Sequence, residues 1–539
     1  MHRLLPLLLL LALPARAQTI EQRIYAEGMQ RSEVMQSLHV LTDVHGPRLT
    51  GSPALERAGS WALEQMQAWG LRNAARFPWN WGHVGWTNEY LAAHLDTPVP
   101  TPLVAEALGW TPSTDGVVSG YAVHIVPPQN ALLPRLKAWE DSVRTVAQGA
   151  IVLVGNIGPA GVLPPSLAQR LSDDEARRRF TPTPDPNAPR GNPNANAGPP
   201  RTPPVGIVPA AMAAARLDSV LKAAGALVRV NPSGMQNGLI RAFSNRTFDP
   251  ATAIPTVVLR DEDFGRIVRL LHSTALGWRS QGMPRLTFDI RNTIHPNVQT
   301  QHDYLAEIPG TQPNEVVMLG GHLDSWHAAT GATDNAAGSA VMMEAARILA
   351  TVFRETNTRP RRTIRVALWS GEEQGLLGSR AYVEGTFGSV ENPKPAFAGF
   401  NGYFNVDSGT GKLRGASVFG PTEAAMMLDT ILDPLDSLGV AGATTSRSRN
   451  IGGSDHTSFN NAGLPGIGMG QDPILYGSTT WHTNVDTYER LLPLDLQQAA
   501  ITVAVAVYRL ATMNEMLPRF PAADMPPNPN TPRPAAGSR

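Results

Sequence analysis

Apolar positions follow two different rhythms along this chain, and the change between them divides it. From 53 to 69 the side chains of Leu55, Ala58, Ala62, Met66 and Trp69 fall on one helical face, and Gly70 closes the run. Residues 19–45 also read as helical, with Ser32 as N-cap for a helix over 33–41. Between them, Gly46-Pro47-Arg48-Leu49-Thr50-Gly51-Ser52 reads as a loop by its Gly and Pro content. From about 110 to 285 the texture shifts to short β-branched runs, at 150–154, 227–230 and 256–259, separated by turn residues. Beyond about 297, strand-like runs at 316–319, 363–369 and 403–406 alternate with helical stretches at 336–349 and 494–513. Such alternation predicts an α/β domain with a largely parallel sheet and helices on both faces.

Composition changes this picture mainly at the ends. Met1-His2-Arg3, an apolar run over 4–13 and Ala15-Arg16-Ala17 form a secretory signal peptide at 1–17, leaving Gln18 as the first mature residue. The chain has no cysteine, which excludes a disulfide framework. Export without disulfides fits a bacterial secreted or periplasmic protein. Lys+Arg and Asp+Glu both number 45, so no charge excess points to nucleic acid or an anionic membrane. The apolar run at 499–511 is too short for a bilayer and is broken by Arg509, so no membrane span is expected there. Residues 181–204, dense in Pro, Asn, Gly and Arg, read as a mobile loop, and 520–539 as a disordered Pro-rich tail.

In sheets of this kind ligands gather beyond the carboxyl ends of the strands. Each predicted strand of the last domain runs into residues suited to metal. The run 316–319 leads to His322 and Asp324, 363–369 to Glu372 and Glu373, and 403–406 to Asp407. Asp334 stands in a loop just before a helix, and His482 in Trp481-His482-Thr483-Asn484. Two imidazoles with several carboxylates are the donors that hold zinc or similar divalent ions. Singly, each has an ordinary explanation as a structural His, a solvated helix start or an N-cap. Together, at loop positions of one domain, they point to a metal centre.

Gly321-His322-Leu323-Asp324-Ser325-Trp326, Gly331-Ala332-Thr333-Asp334-Asn335-Ala336-Ala337-Gly338 and Leu368-Trp369-Ser370-Gly371-Glu372-Glu373-Gln374-Gly375 resemble the signatures of the dizinc exopeptidase family of aminopeptidase Y and bacterial leucyl aminopeptidases. The likeness is strongest to its plasma glutamate carboxypeptidase branch, a dipeptidase, and runs from about 30 to 519. It implies the zinc exopeptidase fold, a mostly parallel-containing mixed sheet flanked by helices. The catalytic domain would be 18–110 plus 286–519, with a β-rich protease-associated domain inserted at 111–285. It also implies two Zn2+ per subunit, or other divalent ions. His322 and Asp407 would hold one, Glu373 and His482 the other, and Asp334 would bridge them, since a carboxylate can span two ions ~3.5–4 Å apart. Asp324 would accept the other ring N–H of His322. The Asp334-Asn335 peptide bond would be cis.

Glu372 would be the general base, taking a proton from a metal-bridging water and passing it to the leaving amine. Asp455 and His456, in a Ser-Asp-His segment, would line the substrate pocket. His327 stands where relatives carry Asp, and three readings stay open for it: an outer-shell group, a pH-sensitive contact, or no role. Trp79, Trp81 and Trp86 read as core packing. The function implied is a secreted zinc-dependent exopeptidase acting on dipeptides or on N-terminal residues of peptides. Its partner is a peptide substrate, and a homodimer stays open. The rivals are glutaminyl cyclisation or deacylation on the same scaffold, and a non-catalytic binding homologue.

Overall fold

A computed structural model of the protein describes residues 18–128, 131–156, 170–182, 207–208, 210–273, 282–450 and 453–528. The signal peptide expected at 1–17 and most of the mobile loop expected at 181–204 lie outside these residues.

Two eight-stranded sheets organise the chain. The first has the order Arg72–Asn80, Thr300–Ile308, Arg362–Trp369, Gln312–His322, Phe400–Asn405, Gly466–Gln471, Leu413–Phe419, Ala443–Ser446. Its four central strands are parallel, and antiparallel neighbours on both sides make the sheet mixed. The apolar runs are continuous because both faces are covered. Val317 and Leu319 point into one core, and Val316 and Met318 into the other. Helices Ala337–Thr356 and Pro493–Thr512 pack on the first face, Leu377–Thr386 and His456–Ala462 on the second. This is the mixed α/β arrangement that the alternation of strands and helices predicts.

Ala332–Thr356 is long and apolar enough to cross a bilayer, yet its most apolar stretch is wholly buried and forms the central core helix. The N-terminal helical stretch divides into Ile20–Gln30, capped by Thr19, and Val34–His39. Ser32 is not the cap: Glu33 takes that position without a capping hydrogen bond.

The second sheet has the order Thr101–Pro102, Gly85–Thr97, Arg285–His295, Val118–Ile125, Ile151–Val154, Val228–Pro232, Thr256–Leu259, Ala105–Ala107. It takes in strands outside 111–285 on both sides. Helices Leu133–Val146 and Ala210–Ala223 lie against one face and Asp261–His272 against the other, so this lobe is layered rather than purely β. A cluster of Trp79, Trp81, Trp86, Trp110 and Trp326 joins the two lobes. Of the tail expected at 520–539, residues 520–528 are described and docked: Phe520 is buried, and the Pro526 carbonyl accepts from Arg449.

Candidate metal centre

The parallel strands of the first sheet deliver their following residues to one edge, as the topology of such sheets requires. Strand Gln312–His322 ends on His322, Arg362–Trp369 leads through Ser370 and Gly371 to Glu372 and Glu373, and Phe400–Asn405 leads to Asp407. Asp334 sits in an irregular turn just ahead of helix Ala337–Thr356, and its peptide bond to Asn335 is cis. His482 reaches the same point from a loop after the last central strand, with φ of 60°.

These side chains converge on Asp334. Its Oδ1 lies 3.4 Å from His322 Nε2, and its Oδ2 lies 3.1 Å from His482 Nε2. His322 Nε2 is also 3.3 Å from Asp407 Oδ1 and 3.9 Å from Glu372 Oε2. His482 Nε2 is 3.0 Å from Glu373 Oε2. His322 with Asp334 and Glu373, and His322 with Glu372 and Asp407, have the mutual spacing of donor sets for a metal ion. Glu373 Oε1 is buried with no hydrogen-bond partner, a lone pair directed at nothing in the protein.

The ring of His322 is held by its neighbour's backbone. Nδ1 donates to the main-chain carbonyl of Asp324 at 2.9 Å, which leaves Nε2 as the free lone pair facing the carboxylates. This corrects the expectation that the Asp324 carboxylate takes that proton: it is 3.8 Å away. That carboxylate instead accepts the backbone N–H groups of Glu372 and Glu373 at 3.2 and 3.3 Å and the Thr50 hydroxyl at 3.1 Å. Asp324 therefore sets the main chain that carries both glutamates.

Electrostatics at the cluster favour positive charge. Burial works against a proton on His322, yet Asp407, Glu372 and Asp334 raise its pKa well above the ordinary value. Burial likewise opposes the charge on His482, but Glu373 and Asp334 push it up to about 10. Burial and the Asp334 charge raise Glu373 to about 7, with His482 opposing. Burial raises Glu372 well above the usual range, against the pull of His322 and helped by Asp407 and Asp455.

Two supports lie outside the strand-end pattern of candidate donors. Asp486 accepts from the Thr333 and Asp334 N–H groups at 2.6 and 3.1 Å and from the Thr333 hydroxyl, so it holds the Asp334 turn. Arg48 is fully buried and donates to the carbonyls of Leu41, Gly46, Leu323, Thr330 and Gly331. It fastens the His322 and Asp334 segments to the 46–52 loop. Asp486, and Arg48 through Leu323, Thr330 and Gly331, act on partners far away in the chain, which no local pattern shows.

Asp455 is fully buried. Burial raises it to about 7. His456 begins helix His456–Ala462 and burial lowers it to about 4.

His327 donates from Nε2 to the Ala107 carbonyl of the second lobe at 2.7 Å and packs edge-on against Trp86. Burial lowers its pKa to about 4, so it is neutral at physiological pH and joins the lobes. A neutral folded-state His contributes stability fully above its unfolded pKa of ~6.5 and loses it as pH falls towards 4, up to about 3 kcal/mol. His327→Gln is expected to flatten the pH dependence of the urea midpoint between 6.5 and 4 relative to the parent protein.

Residues 303–507 match the profile described as Peptidase family M28. The likeness is to the M28 peptidases. Mouse carboxypeptidase Q is 33% identical over 216 residues, which cover 40% of this chain and 43% of that protein. The chain thus spans less than half the length of this curated relative. Among solved structures, a Peptidase M28 precursor from Shewanella amazonensis superposes with a TM-score of 0.63 at 21% identity, covering 93% of this chain and 98% of that one. BSAP, a zinc aminopeptidase from Bacillus subtilis, gives 0.53 at 18% identity, covering 90% and 96%. At these identities the M28 structures establish the fold, and the M28-like segment 303–507 carries every candidate residue of the centre.

Proposed function

We propose that this protein is a metal-dependent exopeptidase that holds two divalent ions, in the first place zinc. His322 and Asp407 hold one, Glu373 and His482 the other, and Asp334 is shared. The observation that carries the reading is the division of Asp334, with one oxygen turned to each imidazole. The donor set of two imidazoles and three carboxylates suits zinc, and the buried, unpartnered Glu373 Oε1 is a lone pair such an ion would satisfy. The likeness to carboxypeptidase Q and to a zinc aminopeptidase supports the same class.

Bound divalent ions supply Lewis acidity at a peptide carbonyl and lower the pKa of a water towards ~7. Glu372 accepts the proton of the attacking water and returns it to the leaving amine. Asp324 keeps the Glu372 and Glu373 main chain in place during this exchange. Export of a chain beginning at Gln18, and a protease-associated character for the lobe containing 111–285, belong to the same proposal.

The test is product analysis with metal content measured alongside. Zinc-loaded protein is expected to release the N-terminal amino acid from dipeptides or an aminoacyl anilide, to lose this on chelation and to regain it with zinc. Cyclised product from an N-terminal Gln peptide, or no hydrolysis by the zinc-loaded protein, would overturn the reading.

A further inference from the structure

Residues 170–182 belong by sequence to the stretch 111–285, yet they lie against the first sheet. Ser172 starts the short helix Asp173–Arg179 with a capping box to Glu175. Phe180, the residue after the helix, is buried in a notch between strands Leu413–Phe419 and Gly466–Gln471. A Cβ on Gly415 or on Gly470 would overlap its ring, so the notch exists because both strands carry glycine there. At the other end of the segment, Arg170 Nη1 donates to Asp495 Oδ2 at 2.7 Å and to Asp472 Oδ2 at 3.1 Å. Leu171 N–H donates to Asp472 Oδ1 at 2.9 Å. Both aspartates are buried. Among the described residues Arg170 is the only cation within ion-pair distance of Asp495, and Arg414 approaches Asp472 only to 3.8 Å. Burying two carboxylates side by side is costly unless a cation joins them.

The same two aspartates hold the loop that follows Asp407. Asp495 Oδ2 accepts the Lys412 N–H at 3.2 Å, and Asp472 N–H donates to the Lys412 carbonyl at 2.9 Å. Gln471, one residue before Asp472, accepts the Ser408 N–H at 2.9 Å and donates to the Gly409 and Gly411 carbonyls at 2.8 and 3.0 Å. These bonds together fix the main chain of 408–412, which continues directly from Asp407. Asp407 Oδ1 stands 3.3 Å from His322 Nε2. Among the described residues no bond of the segment reaches Glu373 or His482, on the other side of the centre.

We propose that Arg170 is a positioning residue for one half of the metal centre. The segment clasps Asp472 and Asp495, these set the 408–412 main chain, and that main chain aims Asp407 at its ion. The proposal rests on the two-ion reading above and deepens it. The ion held by His322 and Asp407 then depends on a segment that supplies it with no donor. The ion held by Glu373 and His482 does not.

The test is a zinc titration of the whole protein stripped of metal, followed by calorimetry. Groups that orient metal ligands are worth ~10–100-fold in affinity, so Arg170→Ala is expected to weaken one of the two ions at least about tenfold and leave the other unchanged. Arg170→Lys is expected to recover part of the loss. In an Asp407→Ala background Arg170→Ala should cost nothing further, a result that general loosening of the fold does not produce. Deuterium exchange is expected to quicken over 408–412 and to stay unchanged over 482–486. Phe180→Ala, which empties the notch, acts in the same direction and carries the test if Arg170→Ala does not fold. Equal weakening of both ions, no weakening, or unchanged exchange over 408–412 in a folded variant would overturn the proposal. A wild type that binds fewer than two zinc ions overturns the two-ion reading instead. Exchange over 408–412 then still decides whether Arg170 sets that loop.

Discussion

Glu372→Gln is expected to lower kcat by about three orders of magnitude, within the ~10²–10⁴ range for general acid–base groups, while the protein keeps its metal. The substitution preserves the shape of the side chain and removes its capacity to take a proton. The main chain does not depend on that carboxylate, because the N–H groups of Glu372 and Glu373 both donate to Asp324. Glu372 Oε2 is also the most distant of the oxygens around His322 Nε2, at 3.9 Å against 3.3 and 3.4 Å for Asp407 and Asp334. Metal analysis beside the kinetics separates the two roles open to it. Metal retained with turnover lost is the signature of the base, and metal lost together with turnover makes Glu372 a ligand. Full turnover in the variant excludes both.

Asp334→Ala should have the broader effect. Removing the shared carboxylate takes a donor from both halves of the site at once and leaves each imidazole with one proposed carboxylate partner. The variant is expected to bind neither ion at stoichiometric concentration and to show no turnover, with its helix content unchanged by circular dichroism. Thermal melts give an independent reading. An ion present at a hundred times its Kd stabilises a folded protein by about 3 kcal/mol per site, so zinc should raise the melting temperature of the wild type and leave that of Asp334→Ala where it was. A variant that still binds two ions would show that Asp334 is not the bridge.

The sequence exposes the first sheet more fully than the second because of how each is buried. The strands around 316–319, 363–369 and 403–406 are apolar on both faces, so they stand out as continuous runs, although Gln312–His322 begins four residues earlier in polar chain. In the second lobe, Leu133–Val146 is a helix whose buried residues are Leu136, Glu140 and Val143, a stripe too thin to register among charged neighbours. Of the site, residue types following strands are legible, since their spacing is local. What a main-chain carbonyl does is not: the bond from His322 to the Asp324 backbone, where the Asp324 side chain was expected, depends on the turn after the strand. The roles of Arg48 and Asp486 are silent for a different reason. Their partners are loops brought near only by the completed fold, as with Ile240 and Asn484 across the lobes.

Arg48 also fixes what counts as the smallest complete unit. The M28-like span contains every candidate donor, yet its Leu323, Thr330 and Gly331 carbonyls share with two N-terminal carbonyls one cation supplied by the N-terminal region. No other residue type offers five N–H donors in a rigid plane, and lysine brings three on a flexible stem. An excised fragment of 303–507 would leave the Leu323, Thr330 and Gly331 carbonyls without that clasp. The 46–52 loop thus belongs to the machinery as a keystone belongs to an arch, bearing on the opening without standing in it.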